Sequence, residues 1–195
     1  MEEIQITKSQ IREETAQKIA ALSAKEIAKK TKAIEDRLFY FANFLESKIA
    51  LMYVNNENEV PTEKFLLRAF QYGKIVVLPA YSPENFEMTL KKVDNLRKDL
   101  QMGPRHIQQP HENRCKIVPI EKIDIAIIPA VALDEKGGRI GSGEGYYDRL
   151  IPNLAITTRK VALAFEDQIV PQVPIESHDK HVDIIITEER VIYKI

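Results

Sequence analysis

At residues 123–149 the chain reads I-D-I-A-I-I-P-A-V-A-L-D-E-K-G-G-R-I-G-S-G-E-G-Y-Y-D-R. The first part, Ile123–Leu133, is an apolar run with the composition of a buried strand. The second part, Asp134–Arg149, holds five of the chain's seven glycines, with two arginines, two tyrosines and two aspartates. Glycine adopts positive φ angles and lets the backbone approach a ligand closely. The stretch therefore predicts a buried strand that leads into a ligand-binding loop.

The residue types in this loop favour an anion, and phosphate most naturally. Successive backbone N–H groups in such a loop can form an anion-binding concavity. Arg139 and Arg149 add fixed positive charge. The alternative is a flexible surface turn, which would explain Gly137-Gly138 taken alone. It would not explain the paired aromatics Tyr146-Tyr147, for which a plain turn has no use.

The common phosphate-loop templates do not fit. From Gly138 the spacing reaches Gly143, but Glu144 follows where a P-loop requires lysine. Gly141-x-Gly143-x-Gly145 lacks the G-x-G-x-x-G spacing of a dinucleotide fingerprint. These mismatches exclude a Walker ATPase and a standard Rossmann dehydrogenase.

Composition indicates an ordinary globular protein. The chain of 195 residues is long enough for one compact domain, which we expect to span residues 1–195. A net charge of −1 indicates no broad attraction to nucleic acid or an anionic membrane. Cys115 is the lone cysteine, which excludes an internal disulfide and suits a reducing cytoplasm. We expect a cytoplasmic monomer with neither nucleic-acid nor membrane partners.

The periodicity of the chain predicts an α/β fold. Capping-box spacings at Thr7 and Ser23 predict helices at 7–21 and 24–46, and Thr62 is expected to cap a third helix. Strands are expected at 48–54, 74–80, 86–93 (antiparallel), 123–129, 160–165, 182–187 and 191–194, with a short helix within 144–150. Residues 97–117 show no period and are expected to form a long functional loop. The pattern predicts a three-layer αβα sandwich with a largely parallel, mixed sheet and Rossmann-like topology.

Ligands in open α/β sheets bind outside the carboxyl ends of the strands. We expect three loops to meet there: 55–62, 134–149 and 175–183. His178 and His181 in the last loop suggest a transition metal, but two histidines three residues apart rarely form a site alone. Asp148 and Asp179 better suit Mg²⁺, which takes one or two protein carboxylates and shares phosphate oxygens.

The chain also resembles a known family, the 5-formyltetrahydrofolate cyclo-ligases, also called 5,10-methenyltetrahydrofolate synthetases. The most specific match is G-x-R-I-G-S-G-E-G-Y-Y-D-R at 137–149. The other matches follow in order along nearly the whole chain: T-K-S-Q-I-R at 7–12, N-E-V-P-T at 58–62, A-L-A-F-E-D-Q-I-V-P-Q-V-P at 162–174 and H-D-K-H-V-D at 178–183.

The resemblance implies a role for each matching residue. It implies ATP binding by Lys8, Arg12, Arg139, Ile140, Gly141, Ser142, Gly143, Glu144, Gly145, Tyr146 and Tyr147. It implies folate-substrate binding by Val54, Glu59, Ser142, Gly143, Glu144, Gly145 and Tyr146. It implies magnesium at Asp148 and Asp179, and catalytic roles for Arg139, Tyr146 and Asp148.

The implied reaction belongs to folate one-carbon metabolism. In this family, ATP phosphorylates the N5-formyl oxygen of 5-formyltetrahydrofolate, and N10 then attacks the activated carbon. Phosphate leaves, so the products are 5,10-methenyltetrahydrofolate, ADP and phosphate. Phosphoryl transfer depends on positioning and charge neutralisation and requires no protein nucleophile. The absence of a convincing Ser–His or Cys–His arrangement in the sequence is consistent with this route.

Two departures from the family pattern keep alternatives open. Ser142 stands where a basic residue is common, and the segment 105–110 (R-H-I-Q-Q-P) lacks the acidic residue often found there. One alternative is a folate-binding or nucleotide-sensing module without catalysis. Another is an isomerase or transferase acting on a phosphorylated metabolite, because such sheets support many chemistries.

Overall fold

The computed structural model describes residues 2–104 and 106–194. The helices are α1 (Glu2–Ala20), α2 (Ala24–Tyr40), α3 (Ala42–Glu46), α4 (Glu63–Gln71), α5 (Leu96–Asp99) and α6 (Tyr146–Leu150). The strands are β1 (Ile49–Leu51), β2 (Ile75–Ser82), β3 (Glu87–Val93), β4 (Leu100–Met102), β5 (Gln108–Pro110), β6 (Ile125–Ile128), β7 (Ala132–Leu133), β8 (Arg139–Ile140), β9 (Arg159–Leu163), β10 (Ile184–Ile186) and β11 (Val191–Tyr193). Among these residues, no helix is both long and apolar enough to cross a membrane.

The main sheet has seven strands in the order β11-β10-β9-β6-β1-β2-β3. The five central strands are parallel, and β3 and β11 pair antiparallel at the two edges. The seven strands expected from the sequence are the seven strands of this sheet, with small shifts at their ends. The α/β class with a mixed, largely parallel sheet is therefore confirmed.

Alternating side chains divide the core into two layers, one on each face of the sheet. Ala50 and Met52 of the β1 segment lie in the cluster that contains the buried side chains of α2, α3 and α4. Leu51, between them, lies in the other cluster, with Tyr147 and Leu150 of α6. This alternation is the two-residue period of a strand buried on both faces, and it confirms the three-layer αβα arrangement.

The expected helix starts are confirmed in one case and wrong in the other. Ser23 caps α2 in a capping box, because its backbone N–H donates to Glu26 Oε2 at 2.8 Å and its Oγ accepts from Glu26 N at 3.3 Å. The first helix begins before Thr7, whose hydroxyl donates to the Glu3 carbonyl at 2.8 Å within the helix. The helix expected at 24–46 is interrupted at Phe41, which is extended (φ −73°, ψ 121°).

Thr62 precedes α4 as expected, but its side chain does not cap the helix. Its hydroxyl donates to the Tyr53 carbonyl at 2.8 Å, and its N–H donates to Asn55 Oδ1 at 3.1 Å. Thr62 therefore closes the loop that follows β1. Its sequence position indicated a cap, whereas its contact with the loop depends on the tertiary structure.

The expected long loop at 97–117 contains ordered elements. It includes most of α5 and the hairpin β4–β5, which were too short to produce a period in the sequence. The Gln109 side chain fixes this hairpin to the sheet, since its Oε1 accepts a hydrogen bond from Tyr81 N at 3.0 Å. Arg105, the first residue of the segment that departs from the family pattern, lies outside the described residues.

A second hairpin, β7–β8, separates β6 from the glycine loop, which the sequence had placed directly after the strand. Its turn contains Gly137 and Gly138, and Asp134 Oδ1 accepts from Gly138 N at 2.8 Å. Gly137 has φ +83°, and a Cβ there would lie 2.4 Å from the Val182 carbonyl oxygen. This pair of glycines is therefore a packed turn, and the ligand-facing loop begins at Gly141.

Candidate active site

A single cavity brings the three expected loops together at the carboxyl ends of β1, β2 and β6. The chain order reverses between β1 and β6, which makes this the switch point where ligands bind in open α/β sheets. All of the site residues predicted from the sequence line this cavity except Glu144, which is exposed beside it. The lining residues are Gln5, Lys8, Arg12, Val54, Asn56, Glu59, Tyr81, Ile107, Pro129, Arg139, Ile140, Gly141, Ser142, Gly143, Gly145, Tyr146, Tyr147, Asp148, His178 and Asp179.

The alternating glycines of the loop each lie against an arginine. A Cβ on Gly141 would come within 2.7 Å of Arg139 Nη1. One on Gly145 would come within 2.9 Å of Arg149 Nη1. Gly143 has φ +111°, and a Cβ there would lie 3.8 Å from the guanidinium carbon of Arg12. The loop is therefore a thin layer of backbone surrounded by guanidinium groups, which favours an anionic guest.

Arg139 lies at the floor of the cavity and is almost fully buried. Its Nη2 donates to Asp148 Oδ1 at 2.8 Å, and its Nη1 donates to the Pro129 carbonyl at 3.3 Å. Asp148 Oδ1 also accepts from Lys180 N at 3.1 Å, which connects α6 to the 175–183 loop. Arg139 thus joins the end of β6, the glycine loop and α6 at one point.

Helix α1 supplies two cations to the opposite wall. Lys8 Nζ lies 2.5 Å from Asp179 Oδ2 and 2.9 Å from Glu176 Oε2. Arg12 Nε donates to the Gly141 carbonyl at 2.8 Å. The two side chains lie one helical turn apart and therefore project from the same face of α1. Both side chains therefore contact residues more than a hundred positions away in the chain.

The charge state of this wall follows from burial and hydrogen bonding together. Burial is the largest single effect and opposes the charged forms of Lys8 and Asp179, but their mutual hydrogen bond, the hydrogen bonds with Glu176 and the attraction between opposite charges together outweigh it. The pKa of Lys8 is consequently raised and the pKa of Asp179 is lowered. Burial lowers the pKa of Arg12, partly offset by attraction to Asp179. Lys8 and Asp179 are therefore both charged at neutral pH.

The carboxylates of the cavity suit a hard cation. Asp148 and Asp179 line the same space, and Lys180, the residue after Asp179, donates its backbone N–H to Asp148 Oδ1. Within the described part of the chain, the possible ligand atoms of Glu176, His178 and Asp179 lie within 4.8 Å of one another. Carboxylate oxygens are the ligands that Mg²⁺ prefers. The donor set therefore fits a magnesium ion shared with a bound phosphate.

The other half of the cavity is richer in aromatic side chains. Tyr81 and Tyr146 make an edge-to-face contact with ring centroids 5.0 Å apart, and Phe86 lies 5.9 Å from Tyr146. Ile107 of the β4–β5 hairpin is buried and adds an apolar surface. This wall suits a flat heterocycle, because aromatic rings pack face to edge or offset against other rings.

Glu59 is the acidic group of this half and is buried. Its Oε2 accepts from Asn56 N at 2.9 Å, which holds the carboxylate in the loop after β1. Burial raises the pKa of the Tyr53 hydroxyl well above its ordinary value, and the nearby charge of Glu59 raises it further. A buried carboxylate can accept hydrogen bonds from two adjacent N–H donors of a ligand.

Gln168 joins the loop after β6 to the 55–62 loop, which carries Glu59. It is fully buried, and its Nε2 donates to the Val131 carbonyl at 2.9 Å and the Asn58 carbonyl at 3.1 Å. Sequence reasoning missed this residue as well as Tyr81, Ile107 and Glu176. Tyr81 could have been found as the inward residue at the end of β2. The others carry no local signal, because their role depends on contacts with distant segments.

The fold and the cavity define a doubly wound α/β enzyme with a cation-rich site at the switch point of its sheet. Residues 4–188 match the 5-formyltetrahydrofolate cyclo-ligase family. Since this match covers most of the chain, the protein belongs to that family, whose members are ligases.

Individual relatives agree with this assignment. The 5-formyltetrahydrofolate cyclo-ligase of Mus musculus is 28% identical over 188 residues, 92% of each chain. The enzyme of the same name from Escherichia coli K12 is 26% identical, over 80% of this chain and 86% of its own. The solved structure of Aquifex aeolicus 5,10-methenyltetrahydrofolate synthetase superposes with a TM-score of 0.82 at 30% identity, covering 96% of this chain and 92% of that one. A Mycoplasma pneumoniae 5,10-methenyltetrahydrofolate synthetase shares the fold, with a TM-score of 0.74 at 21% identity.

Proposed function

We propose that this protein converts 5-formyltetrahydrofolate to 5,10-methenyltetrahydrofolate, using ATP and Mg²⁺ and releasing ADP and phosphate. The observation that carries the proposal is the common cavity of Lys8 from α1 with Arg139 and Asp148, which lie more than 130 positions further along the chain. Family membership supports the substrate class. The glycine layer and its arginines support a polyphosphate as the second substrate.

ATP is proposed to bind on the α1 side of the cavity. Lys8, Arg12 and Arg139 would neutralise the phosphates, while the backbone N–H groups of the loop from Gly141 to Gly145 approach them. The remaining proposed ATP contacts are Ile140, Ser142, Glu144, Tyr146 and Tyr147. Ser142 supplies no charge of its own, and Arg12 is close enough to the loop to supply one there.

Asp148 and Asp179 are the proposed holders of Mg²⁺. When bound, the ion would neutralise phosphate charge and favour displacement at the γ-phosphorus. Asp148 would also keep its contact with Arg139, which orients the guanidinium group toward the cavity.

The folate is proposed to lie against the aromatic half. Glu59 would accept hydrogen bonds from adjacent N–H donors of the pterin, and Val54 would contact its ring. Gly143, Gly145 and Tyr146 lie between the two halves, with Ser142 and Glu144 in the same segment. Tyr146 would hold the formyl group in line with the γ-phosphate, since effective phosphoryl transfer depends on that alignment.

The proposed reaction has two steps. The N5-formyl oxygen attacks the γ-phosphorus, the bond to the bridging oxygen breaks and ADP leaves. N10 then attacks the formyl carbon, loses its proton, and phosphate departs to leave the methenyl cation. Arg139 is suited to stabilise the charge of the transferring group, because it is buried and fixed by Asp148. No protein nucleophile takes part.

We further propose that residues 1–195 form a single domain, acting as a monomer in the cytoplasm within folate one-carbon metabolism. The shared core of the seven-stranded sheet, with strands drawn from most of the chain, supports one domain.

The decisive experiment follows methenyl absorbance in the near ultraviolet with purified protein. Absorbance should rise only when ATP, Mg²⁺ and 5-formyltetrahydrofolate are all present. Each component is omitted in turn, and ADP is quantified in parallel. Folded protein that binds the folate without forming product would instead support a binding or sensing module.

A further inference from the structure

The ammonium group of Lys8 lies between two buried carboxylates. Its Nζ is 2.5 Å from Asp179 Oδ2 and 2.9 Å from Glu176 Oε2. The exposed fractions of the three side chains are 5% for Lys8, 9% for Asp179 and 10% for Glu176. Asp179 is also a proposed ligand of Mg²⁺. Lys8 and the divalent cation therefore compete for one carboxylate.

The second carboxylate changes the outcome of this competition. A buried charge that loses its partner is strongly destabilised. If Asp179 were the sole partner of Lys8, binding of a divalent cation would leave the ammonium unpaired. With Glu176 present, Lys8 retains a buried partner when Asp179 turns to the metal. We propose that Glu176 is a positioning residue that permits this exchange and keeps Lys8 beside the cavity.

The contacts around Glu176 fit this role. Its Oε2 accepts a hydrogen bond from Gln5, which precedes Lys8 on α1. Its backbone N–H donates to Asp179 Oδ2 at 2.7 Å. Glu176 is therefore fixed to α1 and to the 175–183 loop at once, whereas it is not part of the cavity wall. The inference rests on the proposed function, because it requires a divalent cation at Asp179.

A second possible role for Glu176 is direct ligation, since its carboxylate lies near the imidazole of His178 and the carboxylate of Asp179, and the three groups could hold an ion together. A double-mutant cycle separates the two roles. If Glu176 acts through Lys8, its effect on the metal disappears when Lys8 is removed. If it ligates the metal or acts through charge alone, the effect persists without Lys8.

The test measures binding of Mn²⁺ alone by electron paramagnetic resonance. Wild type, Glu176→Gln, Lys8→Met and the double variant are compared, without nucleotide or folate. We expect Lys8→Met to bind Mn²⁺ more tightly than wild type, and Glu176→Gln to bind about tenfold more weakly, a coupling within the usual range for residues in one network. In the Lys8→Met background, Glu176→Gln should change the affinity by less than about twofold.

A matched control exists elsewhere in the chain. Lys30 is also held by one glutamate and one aspartate, Glu188 and Asp167, and none of these residues lines the cavity. Glu188→Gln should therefore leave Mn²⁺ affinity unchanged. If Glu176→Gln does not fold, as judged by circular dichroism, Glu176→Asp replaces it and must show the same dependence on Lys8.

Three results would overturn the inference: no Mn²⁺ binding by wild type, equal weakening by Glu176→Gln in both backgrounds, or no gain in affinity for Lys8→Met. The Mn²⁺ affinities are measured without nucleotide or folate and therefore do not depend on catalysis. A protein that passes the cycle but forms no methenyl product would contradict the proposed reaction and leave the role of Glu176 intact.

Discussion

The guanidinium carbon of Arg149 lies 5.3 Å from the centre of the Phe86 ring. This cation–π contact joins the last residue of the glycine segment to the tip of the β2–β3 hairpin. Arg149 Nη1 also donates to the Glu144 carbonyl at 3.1 Å. Phe86 itself has φ +55°, an uncommon conformation for an aromatic residue. The loop that faces the proposed phosphates is thus held from outside as well as from the cavity.

We expect Arg149→Met to weaken ATP binding without unfolding the protein. The variant loses the bond to Glu144 and the contact with Phe86, so the glycine loop becomes less ordered. The KM for ATP should rise about fivefold, in line with a cation–π contact and one hydrogen bond of about 1 kcal/mol. Steady-state kinetics and a thermal melt test this, with the exposed Arg159→Met at the opposite end of the sheet as control. Equal KM values for ATP in wild type and Arg149→Met would show that Arg149 does not order the loop.

Asp148→Asn should lower turnover by about a hundredfold or more, the usual effect of removing an electrostatic contributor to the transition state. The amide retains the size of the carboxylate and can still accept from Arg139, so the fold should survive. The matched control is Asp36→Asn, because Asp36 also pairs with an arginine, Arg68, at 2.7 Å but lies outside the cavity. If the turnover of Asp148→Asn were near that of wild type, Asp148 would have no role in the reaction.

Gly141→Ala should reduce ATP affinity by about tenfold, because its methyl group would lie 2.7 Å from Arg139 Nη1 and would shift the guanidinium group, whose Nη2 donates to Asp148. The comparison is Gly73→Ala, where φ is +70° but no atom lies within 4 Å of the new Cβ. That variant should lose about 1 kcal/mol of stability from backbone strain and bind ATP normally. Calorimetry gives the affinities and urea unfolding the stabilities. If Gly73→Ala weakened ATP binding and Gly141→Ala did not, the proposed role of the glycine loop in ATP binding would be contradicted.

Tyr53→Phe should stabilise the protein at alkaline pH. The Tyr53 hydroxyl is buried, has no hydrogen-bond partner among the described residues, and has a pKa raised well above 10.0 by burial and by Glu59. As pH rises above 10.0, the unfolded chain ionises this group and the folded chain does not. The free energy of unfolding of wild type therefore falls with pH, whereas phenylalanine has no proton to lose.

Urea unfolding at pH 7 and at about pH 10.5 tests this prediction. The advantage of Tyr53→Phe over wild type should widen at the higher pH. The control is Tyr40→Phe, since Tyr40 is 76% exposed, and its difference from wild type should not change with pH. An advantage of Tyr53→Phe that stays constant would show that the hydroxyl ionises in the folded protein.

The local features of the molecule could be predicted because they depend on neighbouring residues. The capping box at Ser23 and Glu26 involves residues three apart, and the strand at Ile125–Ile128 follows from its own apolar composition. The glycine-rich composition of 134–149 likewise indicated a loop of thin backbone, and this loop lines the cavity. The start of α1 and the hairpin β7–β8 were missed, because their local signals were weak or competed with neighbouring ones.

The sequence by itself determined the class of fold, the family and most of the residues that line the cavity. Only the tertiary structure decided how those residues pair. It placed Glu176 against Lys8 across 168 positions of the chain and fixed the hairpin β4–β5 through Gln109. Such contacts leave no periodic trace in the sequence, because they depend on how whole helices and strands pack. The charges of the site, and the carboxylate that Lys8 shares with the proposed metal, are set by that packing.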